Sequence, residues 1–222
     1  MCREIYFLVL TNPSIYKSLV LYRAFFMYMH YYFIIYKPYQ VLSQFTSQEG
    51  KKTLADLYTL PKDVYAVGRL DYDSEGLLIL TNDTTLNYRL LHPKNLHERE
   101  YWVQVDGAIT SQALKDLQSG VLISIDGKQH RTLPAVVHGF VDPPAVPDRT
   151  PPVRFRKHIP TSWISITLTE GKNRQVRKMT AAVGFPTLRL IRYRIAKLTI
   201  DGLQPGDIKE WRQPEIYKAI FD

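Results

Sequence analysis

From Tyr32 onward the chain alternates short apolar runs with polar breaks, a spacing that suits strands and short helices. The clearest run, SWISITLT at 162–169, puts Ile164, Ile166 and Leu168 on one face and Ser165, Thr167 and Thr169 on the other. It predicts a strand buried on one side. Similar segments predict strands at 32–36, 64–68, 77–81, 99–105, 187–193 and 195–200. Helices are expected at 53–60, 84–91, 110–118 and 173–183, with Asp83 or Thr84 capping the second and Gly120 ending the third. In the fourth, stopped by Gly184 and Pro186, Val176, Met179, Thr180 and Val183 form a stripe that must face a core. Arg174, Arg177 and Lys178 lie three and four apart on a neighbouring face. Residues 142–160 hold six of the fourteen prolines and read as a loop. Because strands do not alternate strictly with crossover helices, the pattern predicts an α+β fold with a mixed, mostly antiparallel sheet and flanking helices.

Residues 1–32 break this pattern. They carry six of the fifteen tyrosines, and the longest uncharged run within the first 36 residues, Ala24–Tyr36, is 13 residues long, too short for a spanning helix of about 20. They are expected to be a poorly ordered extension or an upstream read-through with the true start at Met27 or Met29, leaving 33–222 as the working domain. A chain of 222 residues with 45% hydrophobic content can bury one substantial core or two small ones. The single cysteine, Cys2, and six scattered histidines offer no disulfide and no zinc spacing, so a cytoplasmic, metal-free protein is expected.

Charge changes the picture more than composition does. The net charge is +8, and the block from Arg149 to Lys197 carries twelve Lys and Arg against the single acid Glu170. The remaining residues hold 17 basic and 20 acidic side chains, so all the excess positive charge lies in that block. One-signed charge of this density points to a polyanion such as nucleic acid.

The other charged stretch is GRLDYDSEGLLILTND at 68–83, which sets an arginine and three acids at the mouth of an aliphatic strand. A calcium loop fails on its own count. Position twelve, which should be a bidentate Glu, is Asn82, and the positions after Gly76 are aliphatic. A solvated turn and a reactive carboxylate held at the end of a rigid strand both stay open on these residues alone. Two carboxylates of a retaining glycosidase would need about 5–5.5 Å separation across a sugar, and nothing here suggests a dense acidic and aromatic sugar cleft. EGKNRQVRKM at 170–179 adds a short Gly-containing loop at a helix start, a place that attracts phosphate.

The set GRLDYDSEGLLILTND, EREYWVQVDG at 98–107 and EGKNRQVRKM, in this order, resembles the pseudouridine synthases that modify ribosomal RNA, over about residues 33–212. IPTSWISITL and VGFPTLRLIRY are similar to the branch acting on the large subunit. The resemblance implies a pseudouridine synthase fold with a central RNA-binding cleft and no cofactor. The uracil would be detached, turned and rejoined through C5. Asp71 is then expected as the catalytic nucleophile or base, Arg177 as its paired cation and Tyr101 as the residue stacking on the base. Arg69 would help hold a flipped-out nucleotide, with Asp73 and Glu75 supporting the loop. Lys172, Asn173, Arg174, Gln175, Lys178, Arg189 and Arg192 are expected to bind RNA. Tyr36 stands where relatives carry Asn, and Arg99 where Lys is common. No S4-type RNA-binding domain fits ahead of residue 33, and a monomer with no membrane association is expected. A catalytically inactive RNA-binding or assembly protein on the same fold is the competing reading.

Overall fold

The computed structural model describes residues 29–153 and 159–222, so the expectation for the N-terminal extension falls almost wholly outside the described residues. In chain order the elements are β1 (Tyr32–Lys37), β2 (Val41–Leu42), β3 (Lys52–Thr53), β4 (Tyr65–Ala66), β5 (Glu75–Thr81), α1 (Thr84–Leu91), β6 (Arg99–Asp106) and α2 (Ser111–Ser119). There follow β7 (Leu122–Ile125), β8 (Lys128–Arg131), β9 (Val136–Gly139), β10 (Thr161–Leu168), α3 (Gln175–Ala182), β11 (Thr187–Ile195), β12 (Leu198–Thr199), β13 (Ile208–Trp211) and α4 (Gln213–Phe221). Tyr31–Asp222 forms one compact unit.

A nine-stranded sheet runs in the order β13-β1-β5-β11-β6-β10-β9, with β4 added to β5 and β12 to β11. Every pairing in it is antiparallel except β5 with β11. β1 and β5 are buried on both faces, which is why they read as continuous apolar runs. In β10, Ile164, Ile166 and Leu168 are all buried, as the alternation requires. Asp83 caps α1 by accepting from Thr85 N and Leu86 N at 2.9 and 3.1 Å.

One face of the sheet carries a single cluster, in which Ile34, Tyr36, Leu77 and Ile79 pack with Leu86 of α1 and Ile216 of α4. The other face carries two. Ile35, Leu78 and Leu80 pack under the segment holding Leu54 and Leu70, while Val103, Ile164 and Ile166 pack under Leu117 of α2 and Met179 of α3. The β5–β11 junction lies between those two clusters, so this face has a built-in cleft.

Four expectations are corrected. The strand at 64–68 shrinks to β4, Tyr65–Ala66. The helix at 53–60 is a single 3-10 turn, Leu54–Asp56, whose Asp56 accepts from Thr53 N at 2.7 Å; Leu57 is left exposed and Pro61 follows. The strand at 195–200 shrinks to β12, because Ala196 turns the chain in a left-handed conformation. The helix at 173–183 begins at Gln175, since Arg174 is itself left-handed (φ 54°). The β7–β8 hairpin, β9, β13 and α4 were not anticipated.

Candidate active site

The acidic turn is pinned on both sides of Asp71. Ser43 Oγ donates to Leu70 O at 2.7 Å and accepts from Leu70 N at 3.0 Å, while Gln40 N donates to Tyr72 O at 2.9 Å. Within the turn, Ser74 N donates to Asp71 O. The segment that supplies Gln40 and Ser43 is held in turn by Lys37, whose Nζ donates to Pro38 O and Val41 O at 2.9 and 2.7 Å. Lys37 is fully buried, and burial pulls its pKa down to about 7 against the opposing charge of Glu75. Asp71 thus projects from a backbone fixed at both neighbours, without a long loop of its own.

Four strands meet in register beside it. Lys37 of β1 pairs with Gly76 of β5, Gly76 with Arg192 of β11, and Arg192 with Tyr101 of β6. Gly76 has φ +105°, and a Cβ there would lie 2.4 Å from Arg192 O. Only glycine allows the two parallel strands to approach this closely, and that approach brings Tyr101 and Asp71 to one cleft.

The three acids of the motif meet different fates. Asp71 is half-buried, and its nearest cation is Arg174 Nη1 at 3.6 Å. Asp73 takes both nitrogens of Arg174 at 2.9 and 2.7 Å, and Arg177 donates to its main-chain oxygen at 2.5 Å with Nε 3.4 Å from its carboxylate. Burial pushes the Asp73 carboxyl up, but the Arg174 bond and the charge of Arg177 outweigh it and hold it below the usual range. Glu75 is buried in a two-bond pair with Arg189, at 2.9 and 2.8 Å.

Two corrections to the expected roles follow. Arg177 is bonded to Asp73 and Ser74, whereas Asp71 has Arg174 as its ion-pair partner. Arg174 lies just outside α3, so helical spacing does not place it beside Arg177, and nothing local says which carboxylate each meets across a hundred residues of chain. Arg189, expected to bind RNA, is 5% exposed and lies on the opposite face of β11 from Arg192. Its charge is spent on Glu75 and its Nη2 also donates to Pro147 O at 2.8 Å.

Of the other expected residues, Asp71, Tyr101, Arg69, Lys172, Asn173, Arg174, Gln175 and Arg192 all line a single cleft of about 890 Å³, and Lys178 lies outside it. Gln175 is buried and works on the loop, donating to Glu170 Oε1 at 2.6 Å and accepting from Lys172 N at 2.9 Å. Glu170 also accepts from Leu133 N at 2.8 Å and meets His130 at 3.2 Å, tying the cationic loop to the β7–β8 hairpin. Ser43, Gln40 and Lys37 went unread as parts of the site, since nothing in YKPYQVLS shows that it brackets Asp71. Arg99 also faces the cleft, its nitrogens on Leu90 O and His97 O.

Among the described residues no three His, Cys, Asp or Glu gather to hold a metal ion, and no helix is long and apolar enough to cross a membrane. The arrangement offers a fixed carboxylate, an aromatic hydroxyl and several cations around one opening. That set can act on a nucleoside held by its phosphates.

Comparison with known proteins agrees with this geometry. The family model described as RNA pseudouridylate synthase matches residues 31–182. The chain is 55% identical to ribosomal large subunit pseudouridine synthase E of Vibrio parahaemolyticus over 177 residues, covering 80% of this chain and 72% of that one. It is 51% identical to the protein of the same name from Xanthomonas axonopodis pv. citri, covering 78% and 89%. A solved pseudouridylate synthase superposes with a TM-score of 0.70 at 25% identity, covering 86% of this chain and 74% of that chain. The match over residues 31–182 and these identities show that the chain belongs to the RNA pseudouridylate synthase family.

Proposed function

We propose that this chain isomerises a uridine of large-subunit ribosomal RNA to pseudouridine, with Asp71 as the reacting carboxylate. The observation that carries the reading is Asp71 itself: it stands in the cleft on a turn fixed at Leu70 and Tyr72, and its nearest cation sits at 3.6 Å. Asp73 takes the two-bond grip of Arg174, so Asp71 keeps oxygens for a substrate. Tyr101 faces the same cleft from β6 and offers a ring for the base. Arg69, Lys172 and Asn173 at the opening take the phosphates, a contact that weakens with salt by a slope of about −0.7 per phosphate on single-stranded RNA. Arg177 positions the Asp73–Ser74 backbone. The chain acts as a cytoplasmic monomer in this reading, and no cofactor enters the reaction.

Tritium release from large-subunit RNA labelled at uracil C5 tests it. The parent should release tritium and Asp71→Asn should not, while RNA affinity stays within a few fold because no cationic contact is removed. Release by both would take the reaction away from Asp71. Silence from both, on naked RNA and on large-subunit particles, would leave an RNA-binding protein.

A further inference from the structure

The buried arginines of β11 are not alike. Arg189 spends its charge on a carboxylate. Arg192, only 4% exposed, makes no ion pair among the described residues. Its Nε donates to Leu77 O at 2.7 Å, and its Nη2, buried from solvent, has no acceptor in hydrogen-bonding geometry. Lys37 and Arg99 add positive charge around it, and what offsets it comes from Tyr101, through its charge and its hydroxyl, and from the charge of Asp71. Burial pulls the pKa of this guanidinium down, although it stays the most basic kind of side chain a protein has.

A buried cation without a counter-ion is costly in the free protein, and an unmet donor adds to that cost. Such a group persists where something else supplies the missing acceptor. Arg192 lines the cleft together with Asp71 and Tyr101, and it pairs with Tyr101 across β11 and β6, so the acceptor it awaits is a group held between those two side chains.

The chemistry of the isomerisation produces that group. When the bond from C1′ to N1 breaks, its electron pair goes to N1 and spreads onto O2 and O4 of the base. The detached uracil is therefore an anion. At the ribose, either the Asp71 carboxylate bonds to C1′ or it takes the proton from C2′; both balance the charge that has left with the base. C5 then bonds to C1′ as the Asp71–C1′ ester bond breaks or, on the other route, as C2′ takes back its proton; the C5 proton departs and N1 regains one, so no oxidant or co-reactant enters. Arg174 and Arg177 are engaged with Asp73 and do not meet this need.

We propose that Arg192 is a catalytic residue whose Nη2 donates to a carbonyl oxygen of the target uracil, stabilising the base as it leaves and holding it while it turns. This rests on the isomerase reading above. A donor fixed in a dry site gains most where charge develops, so its effect belongs in the rate of the step and not in RNA binding.

The test compares parent and Arg192→Met in single-turnover reactions on RNA carrying uridine or 5-fluorouridine at the target. Loss of the N-linked nucleoside is followed by mass after digestion, and RNA affinity and melting temperature are measured alongside. On uridine the variant should lose about 100-fold or more in rate, with affinity within about threefold. 5-Fluorouracil has a more acidic N1 and leaves more easily unaided, so on that substrate the deficit should narrow about tenfold. A deficit of equal size on both substrates, a rate within threefold of the parent on uridine, or a loss confined to RNA affinity would each overturn the proposal. If Arg192→Met does not fold, Arg192→Lys takes its place: a smaller deficit that narrows in the same way supports the contact, and one that does not overturns it. A parent inactive on both RNAs sinks the isomerase reading, and this proposal with it.

Discussion

Two residues apart in one motif, Asp73 and Glu75 hold arginines in opposite settings. Asp73 sits about one-third exposed at the cleft edge and gathers Arg174 and Arg177. Glu75 and Arg189 face each other on the far side of the sheet with almost no solvent contact. The alternation of β5 sends Glu75 to the face that carries Leu77 and Ile79, and the turn before it leaves Asp73 at the edge. One pair is a structural post and the other an adjustable clamp beside Asp71. Near-identical chemistry serves stability or function according to which side of the strand it leaves.

Breaking the post should show this most strongly. Glu75→Gln strands a buried guanidinium and should cost roughly 3–5 kcal/mol, a fall of roughly 10 °C in melting temperature for a domain of this size. Glu75→Leu combined with Arg189→Met should restore most of it. A melting temperature unchanged in Glu75→Gln would put the pair among dispensable surface contacts. The clamp should answer differently. Asp73→Asn should cost only about 1–2 kcal/mol, because the Arg174 side of the pair is solvent-screened. It should tighten RNA binding and steepen its salt dependence by about 0.7 for each freed arginine that finds a phosphate. An unchanged salt slope would mean that neither arginine turns to RNA.

Lys37 provides the smallest and most selective probe, a buried charge whose partners are carbonyls. Its pKa in the folded protein, about 7, lies below that of the free side chain. Between pH 7 and 10.5 the unfolded chain therefore holds the extra proton. The burial penalty is full below pH 7 and relaxes as pH rises. Relative to Lys37→Met, the parent should gain about 1 kcal/mol between pH 7 and 8 in denaturant unfolding. Parallel pH curves for the two proteins would mean that the amine keeps its ordinary pKa.

The long strands and three of the four helices were legible because burial on one face imposes a period, and Asp83 announced the start of α1 by its chemistry. The β7–β8 hairpin is legible too: Asp126 and Gly127, both at positive φ, are the dipeptide that two-residue turns favour. The segment 53–60 stops at a single turn although Leu54, Tyr58 and Leu60 all reach the core, because Ala55, Asp56 and Leu57 between them are exposed and Pro61 follows. At the site, residue types were readable and partners were not. Nothing local tells Arg177 from Arg174 as the neighbour of Asp71, and the period of two that puts Arg189 and Arg192 on opposite faces does not say which of them enters the cleft. Those distinctions depend on sheet register over more than a hundred residues, and on a glycine whose need becomes visible only when Arg192 O is found where its side chain would be.

That junction also sets an order of assembly. β5 pairs with β11, whose Arg192 lies 116 positions beyond Gly76, and β1 must wait for β13 on its other edge. Parallel pairings between such distant segments carry a high loop-closure cost and form late. Asp71 leaves the ribosome long before the strand that completes its cleft. A partly synthesised chain therefore carries the carboxylate without the chamber, and competence arrives in one late step, when β11 docks between β5 and β6.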